Sequence, residues 1–325
     1  MFLLYNDSTD PAFNLALEEY VLTKLRKDII ILWRNNRSVI IGRNQNAVEE
    51  IDIDFIERSG ITVIRRQSGG GAVFHDLGNI NYTVIQPLGK EDFNNYARFT
   101  APICSFLQSL GINAELKGRN DLLIEDMKFC GNAQAVRNGW IMHHGCILYN
   151  ADFSDLAKAL RPHPAKISGK GIRSVRSRVT NVADHMSEPM EAEEFLQKLY
   201  YFFLQGDPDM QEYTLTKEDI AEVDELVEKK YSKWEYNFGR SPAYKYQKSA
   251  AFPFGVVDVR VSADGAVIND VAIFGDFFGI SDISELKAKL IGVRHTRAHI
   301  AEALIGINLG DYISGISQEE FLDLF

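Results

Sequence analysis

Long apolar runs are missing from this chain: none approaches the roughly 20 residues that a membrane-spanning helix requires. The opening "MFLLYNDSTDP" turns polar after a few residues and has neither a basic n-region nor a long apolar h-region, so a secretory leader is not expected and the cytoplasm is. Cysteine is scarce. Cys104, Cys130 and Cys146 are too few and too unevenly spaced for a disulfide framework or a zinc site, and they suit a reducing compartment. Positive charge is in deficit, with 35 basic against 45 acidic side chains and a net charge of −10. That balance argues against an affinity built on neutralising nucleic-acid phosphates. Internal repeats and low-complexity segments are absent as well.

What remains is the composition of an ordinary globular protein, 46% hydrophobic and 25% charged, and 325 residues is long for a single core. Asp10 as N-cap, Pro11 at the first helical position, and apolar residues at Phe13, Leu17, Tyr20 and Val21 predict an amphipathic first helix. Short buried strands follow in "DIIILW" and "SVIIG", on either side of a polar turn at 35–37. A helix through 48–58, stopped by Gly60, leads to a strand in "GITVIRR". Next come a strand in "NYTVI", a helix in "DFNNYARFTAPICSFLQSL" ended by Gly111, a hairpin in "DLLIEDMKFCG" turning at 125–126, and a strand in "WIMHHGCILYN".

Strands outnumber helices and follow one another directly. The expected class is therefore α+β with a largely antiparallel mixed sheet, not a doubly wound parallel one. Residues 161–180 hold two prolines, two glycines and seven basic side chains, counting His163, and read as a long functional loop. Helices are expected at 192–204 and 217–230. A boundary inside "WEYNFGRSPAYKYQKS" divides a larger domain, 1–243, from a small α+β domain, 244–325. The latter is built on a hairpin turning at Asp264-Gly265 and on helices near 283–290 and 296–304.

The stretch "RRQSGGGAVFH" carries the strongest chemical signal. Three consecutive glycines allow positive φ and let a ligand approach the backbone closely, and Arg65 and Arg66 beside them are permanent cations that fork onto carboxylate or phosphate oxygens. Together they predict an anion site. The alternative is a flexible turn with solvated arginines. The stretch is no Walker A loop, for no Gly-Lys-Ser/Thr follows, and it lacks the G-x-G-x-x-G spacing of dinucleotide folds. Lys128, in "MKFCGNAQ", is a second candidate if its strand faces a cleft. His75, His143 and His144 are candidate acid–base groups. The last two are adjacent on one strand, so only one of them faces a given site.

At this point several stretches together resemble the lipoate-protein ligase family. They are "RRQSGGGAVFHDLGNINYTVI", "GRND" at 118–121, "KFCGNAQ", "HHGCILYN" and "GKGIRSVRSRVTN" at 169–181, with "FGRSPAY" and "FGDFFG" resembling the family's accessory domain. The motifs fall in the family's order over nearly the whole chain. The resemblance implies a biotin/lipoate ligase-like catalytic domain followed by a small α+β accessory domain. It implies that ATP with Mg2+ activates (R)-lipoate as lipoyl-AMP, and that the lipoyl group passes to a lysine of lipoyl-domain proteins. These would be E2 subunits of 2-oxo-acid dehydrogenases or the glycine cleavage H protein.

By the same resemblance, ATP or its adenylate contacts Arg66, Gly71, Ala72, Val73, Phe74, Asp121, Lys128, Arg173 and Arg176. Lipoate contacts Arg65, Gly70, His75, Lys128 and His144. Lys128 is the catalytic group between lipoate and the α-phosphate, and Asp121 is the magnesium contact. Phe74, Trp33 or Tyr82 would wall the apolar dithiolane, and the basic loop at 170–178 would cover the adenylate.

Two other readings compete. An ATP-independent octanoyl or lipoyl transferase needs a cysteine to carry the acyl group, and after "HHG" there is only Cys146, in an apolar strand where it reads as a small hydrophobe. An inactive lipoate- or carrier-binding homologue would be expected to lack Lys128, which is present. Biotin is disfavoured as substrate because the arginine-rich glycine loop of biotin ligases is missing. Cys130 and Cys146 stand where the family's pattern has small polar residues.

Overall fold

The computed structural model describes residues 1–45, 47–160, 179–237, 246–264, 267–295 and 297–325. The first helix, α1 (Pro11–Tyr20), begins as the sequence predicts: Asp10 Oδ1 accepts the Ala12 N–H at 2.9 Å, and Pro11 occupies a position whose N–H would have no helical partner. Asn14 on its inner face is buried. Its Nδ2 lies within 2.9–3.0 Å of the Ser8 and Arg34 carbonyls and Asn35 Oδ1, and its Oδ1 accepts from Asn6 Nδ2 at 2.7 Å. One side chain thus ties the helix to the loops before it and after β2.

Among the described residues the larger unit has eleven strands: β1 (Phe2–Tyr5), β2 (Ile29–Trp33), β3 (Ser38–Ile41), β4 (Thr62–Arg65), β5 (Val73–His75), β6 (Asn79–Pro87), β7 (Glu115–Lys117), β8 (Asp121–Ile124), β9 (Met127–Arg137), β10 (Trp140–Leu148) and β11 (Gln211–Glu212). Eight of them form one sheet in the order β11-β1-β2-β6-β10-β9-β8-β7, parallel only where β1 meets β2 and β11. The remaining three form a small sheet, β4-β3-β5. This is the mixed, largely antiparallel α+β arrangement the residue pattern predicts.

Central strands are buried on both faces, and the two-residue period sorts their side chains. Ile30 and Leu32 of β2 join the core under the helices Tyr96–Ser109 and Ala192–Gly206. Ile29, Ile31 and Trp33 face α1 and the small sheet. The space between the two sheets, roofed by α1, is where the candidate site lies.

The C-terminal unit is a meander of β12 (Tyr246–Phe252), β13 (Gly255–Asp264) and β14 (Val267–Gly275), backed by the helices Ile283–Leu290, Arg297–Ala303 and Gln318–Leu322 around their own core. It touches the larger unit through backbone bonds from Gly275 N to Asn44 O (2.7 Å) and Gly70 N to Phe277 O (3.3 Å), and through the Arg43–Asp282 ion pair. Among the described residues, no helix is long and apolar enough to cross a membrane.

The structure adds elements the residue pattern did not announce, among them β7, β11 and the helix Phe153–Ala159, and it amends others. β1 was not anticipated, because four residues ahead of a polar loop carry little pattern; its register with β2 makes it a strand. The single helix expected at 48–58 is two, Ala47–Glu50 and Ile53–Arg58, because Ile51 bridges to Leu160 and Asp52 caps a fresh start by accepting the Phe55 N–H at 3.0 Å. β12 begins inside the stretch expected to hold the domain boundary, and the final helix was also missed. The boundary at 243/244, the turn at Gly265 and the basic loop at 161–178 lie outside the described residues.

Replacing Asn14 by alanine strands three or more buried hydrogen-bond partners. It is expected to lower unfolding stability by about 2–4 kcal/mol, read as a lower urea midpoint at unchanged slope. A loss below about 0.5 kcal/mol would show that water satisfies those groups instead.

Candidate active site

Between the sheets lies a cavity of about 300 Å³ whose wall changes character along its length. Leu15 of α1, Trp33, Ile40 and Val73 make an apolar part, and Asn120, Asp121, Lys128 and Asn132 a polar part, with Gly70, Gly71 and Ala72 alongside. Asp276 and Phe278 of the C-terminal unit complete the wall.

Lys128 reaches the cavity because β9 is irregular. Leu122 pairs with Cys130 but Leu123 pairs with Lys128, so Phe129 has no opposite number and the strand bulges there. A bulge re-aims side chains. Phe129 and Cys130 both enter the core, while Lys128 lies across Gly131, where a Cβ would stand 2.9 Å from its Nζ. The ammonium pairs with Asp121 Oδ1 at 2.7 Å, and both groups remain partly open to solvent.

The two arginines part company. Arg65, expected to touch lipoate, does not line the cavity. Its guanidinium donates to the carbonyls of Gly42 (2.9 Å), Gln45 (2.7 Å), Tyr236 (3.1 Å) and Asn237 (3.0 Å), fastening β4 to neighbouring loops. Adjacent strand residues point to opposite faces, and Arg66 takes the other one. Arg66 lines the cavity yet is only 6% exposed. Its Nη2 donates to the Gly69 and Gly71 carbonyls at 2.7 and 2.8 Å, its Nη1 to Ile40 O at 3.1 Å, and its Nε to Ser68 Oγ at 3.0 Å. It therefore shapes the glycine loop from beneath. Burial lowers its pKa to about 10, which leaves it cationic at neutral pH.

The glycines are bare for more than one reason. A Cβ on Gly69 would lie 2.1 Å from Phe277 O, and Gly70 has φ +91°, so those two serve the packing of the C-terminal unit and the turn. Gly71 faces the cavity. Alternation also corrects Phe74: Val73 and His75 line the cavity, whereas Phe74 is buried with Val39, Ile41 and Ile56 behind the small sheet. Of the three aromatic residues expected around an apolar ligand, only Trp33 is in the wall. Tyr82 is fully buried in the main core, its hydroxyl on Asn132 Oδ1.

His144 faces the cavity and His143 does not; the latter is stacked on Phe99 in the core. His144 Nδ1 lies 2.8 Å from Glu18 Oε1, and its Nε2 lies 2.7 Å from Ser68 Oγ. His75 accepts from Asn35 Nδ2 at Nδ1 (3.1 Å), which places its proton on Nε2. That Nε2 and the nearby Asn81 Nδ2 are buried with no hydrogen-bond partner among the described residues. Cys146 is in the wall, not in the core as its strand suggested, and burial pushes its thiol up to about 12, far from a nucleophilic thiolate. Arg173 and Arg176 lie outside the described residues. Glu18, Ser68, Asn81, Asp276 and Phe278 had not been singled out. Glu18 alone carried a usable signal, an acid on the apolar stripe of α1 between Leu15 and Leu22.

Comparison with known proteins settles the family. Residues 10–204 match the lipoyl protein ligase A/B catalytic domain, and residues 241–325 the bacterial lipoate protein ligase C-terminus. The chain belongs to the lipoate-protein ligase family. It is 39% identical to lipoate-protein ligase LplJ of Bacillus subtilis, covering 100% of this chain and 99% of that one. Among solved structures it is similar to P. falciparum LipL1 in complex with lipoate, with TM-score 0.78 and 26% identity over 99% of this chain and 97% of that chain. It is also similar to a lipoate-protein ligase A bound with ATP, with TM-score 0.61 and 29% identity over 73% and 98%. The molecule is thus an enzyme, a ligase, and its cavity is the candidate active site.

In the ligase, burial pulls the His75 pKa down to about 3, with the Arg66 cation and His144 adding to the effect. An unfolded histidine takes its proton near about 6.5, so at intermediate pH the unfolded chain binds more protons and stability falls on acidification. His75→Gln is expected to reduce that slope between about pH 6.5 and 4 by up to about 1.4 kcal/mol per pH unit, measured as urea midpoints across the range. An unchanged slope would mean that His75 titrates in the folded protein.

Proposed function

We propose that the ligase activates lipoate with ATP and passes the lipoyl group to a lysine ε-amine on lipoyl carrier domains. In the first step a lipoate oxygen attacks the α-phosphorus, the bond to pyrophosphate breaks, and lipoyl-AMP forms. In the second the amine attacks the acyl carbon, AMP leaves, and an amide results with loss of a proton from nitrogen. The reading rests chiefly on one observation: Lys128, the glycine loop and an apolar recess share a single cavity.

The first step brings a carboxylate against a phosphate, so catalysis there is mostly charge neutralisation and alignment. The Lys128 ammonium, held by Asp121 at the edge of the cavity, neutralises both anions as they meet. Gly71, Ala72 and Val73 offer backbone to the nucleotide, above the buried charge of Arg66. Leu15, Trp33 and Ile40 suit the aliphatic chain and dithiolane, and His75 Nε2 and Asn81 Nδ2, which have no partner among the described residues, supply donors to polar atoms of the bound acid.

The described residues include no cluster of three or more metal-ligating side chains. Asp121 and Asp276, both in the wall, fit the one or two carboxylates with which a protein holds a magnesium ion that arrives on nucleotide phosphates. The raised thiol of Cys146 speaks against the ATP-independent transferase, which needs a reactive cysteine.

With ATP, Mg2+ and lipoate but no carrier protein, the enzyme is expected to release pyrophosphate. Lys128→Ala is expected to lower that release by at least about a hundredfold, in the range seen when a transition-state charge partner is removed. Its melting temperature should stay within about 2 °C, since a partly exposed side chain is removed. Normal release by Lys128→Ala, or none from the parent enzyme with any acid, would overturn the reading.

A further inference from the structure

Beneath the glycine loop a chain of hydrogen bonds runs from the Arg66 guanidinium to α1. Arg66 Nε donates to Ser68 Oγ at 3.0 Å, Ser68 Oγ lies 2.7 Å from His144 Nε2, and His144 Nδ1 lies 2.8 Å from Glu18 Oε1. Glu18 is 1% exposed, and the same Oε1 accepts from Thr83 Oγ1 at 2.6 Å, which in turn accepts from Trp33 Nε1 at 3.0 Å.

A carboxylate can only accept, so His144 donates from Nδ1; in the neutral imidazole Nε2 then accepts from the Ser68 hydroxyl, whose oxygen receives the Arg66 N–H. Every donor in the chain thus points from the cation toward the carboxylate, an arrangement in which each bond polarises the next. The spacing is that of a serine–histidine–acid triad, but Ser68 is 1% exposed, lies outside the cavity wall, and its oxygen already faces a guanidinium. The relay therefore serves position and not nucleophilic attack.

We propose that Glu18 is a positioning residue for the nucleotide half of the site: through His144 and Ser68 it holds Arg66, which holds the Gly69 and Gly71 carbonyls away from an incoming phosphate. A loop with those carbonyls free would present oxygen to an anion. Turned onto Arg66, they leave the cavity edge at Gly70 and Gly71 to an anionic ligand, above a cation whose countercharge sits at the far end of the relay. The proposal rests on the reading that the loop binds ATP.

The test is a double-mutant cycle with Glu18→Gln and Ser68→Ala, read as KM for ATP and KM for lipoate in pyrophosphate release. Loss of a charge-assisted link should raise KM for ATP by about tenfold in either single variant. KM for lipoate should move by less than about threefold in Ser68→Ala, whereas Glu18→Gln also loosens Thr83 and, through it, Trp33 of the apolar wall. Because both changes cut one relay, the double variant should be no worse than the poorer single. An unmoved ATP constant in Glu18→Gln, an equal rise for lipoate in Ser68→Ala, or multiplied effects of about a hundredfold in the double variant would overturn the proposal. Should Glu18→Gln fail to fold, Ser68→Ala alone decides, since an unchanged ATP constant there breaks the relay argument. If the parent enzyme releases no pyrophosphate, the ATP reading itself fails and this proposal falls with it.

Discussion

A guanidinium does not give up its charge at neutral pH, so burying Arg66 obliges the chain around it to supply acceptors. The carbonyls of Ile40, Gly69 and Gly71 and the hydroxyl of Ser68 supply them, and much of the active-site architecture follows from that demand. The loop must double back over the arginine, which takes a glycine at φ +91°. The small sheet must lie close enough for Ile40 to contribute, and the acid on α1 must face inward. One buried cation thus organises elements that are distant in sequence.

Strand alternation divides the remaining work. In "RR" one arginine fastens loops and the other shapes the site. In "VFH" the outer residues face the cavity and the middle one packs behind the sheet. In "HH" one imidazole stacks in the core and the other joins the relay. Where strict alternation would have turned Lys128 elsewhere, the bulge at Phe129 resets the phase. The chemistry of the cavity is assembled from single residues of motifs whose neighbours hold the scaffold.

The C-terminal unit has its own core, yet it is part of the site. Phe277 O caps the Gly70 N–H, Asp276 and Phe278 line the cavity, and Arg119 stacks 4.5 Å from the Phe278 ring while donating to Phe254 O. These contacts are mostly hydrogen bonds and one stacked cation, unlike the continuous apolar packing within each unit. The glycine stretch therefore faces two ways at once, toward the cavity on one side and toward a neighbouring unit on the other.

Much was legible from residues alone, because local physics decides it. Asp10-Pro11 sets the start of α1, two-residue periodicity marks the strands, and the bare "GGG" beside two arginines points to an anion site. The resemblance of spaced motifs pointed to the family. What a linear pattern does not carry is which of two adjacent side chains faces inward, since that depends on register with strands far away. Nor does it show that Ile51 pairs with Leu160, that a bulge turns Lys128 into the cavity, or that Glu18 stands behind Ser68. The sequence by itself determined most of the elements and the kinds of charge available. Tertiary packing decided which charges were buried, and burial made Arg66 a scaffold while leaving Lys128 at the cavity edge.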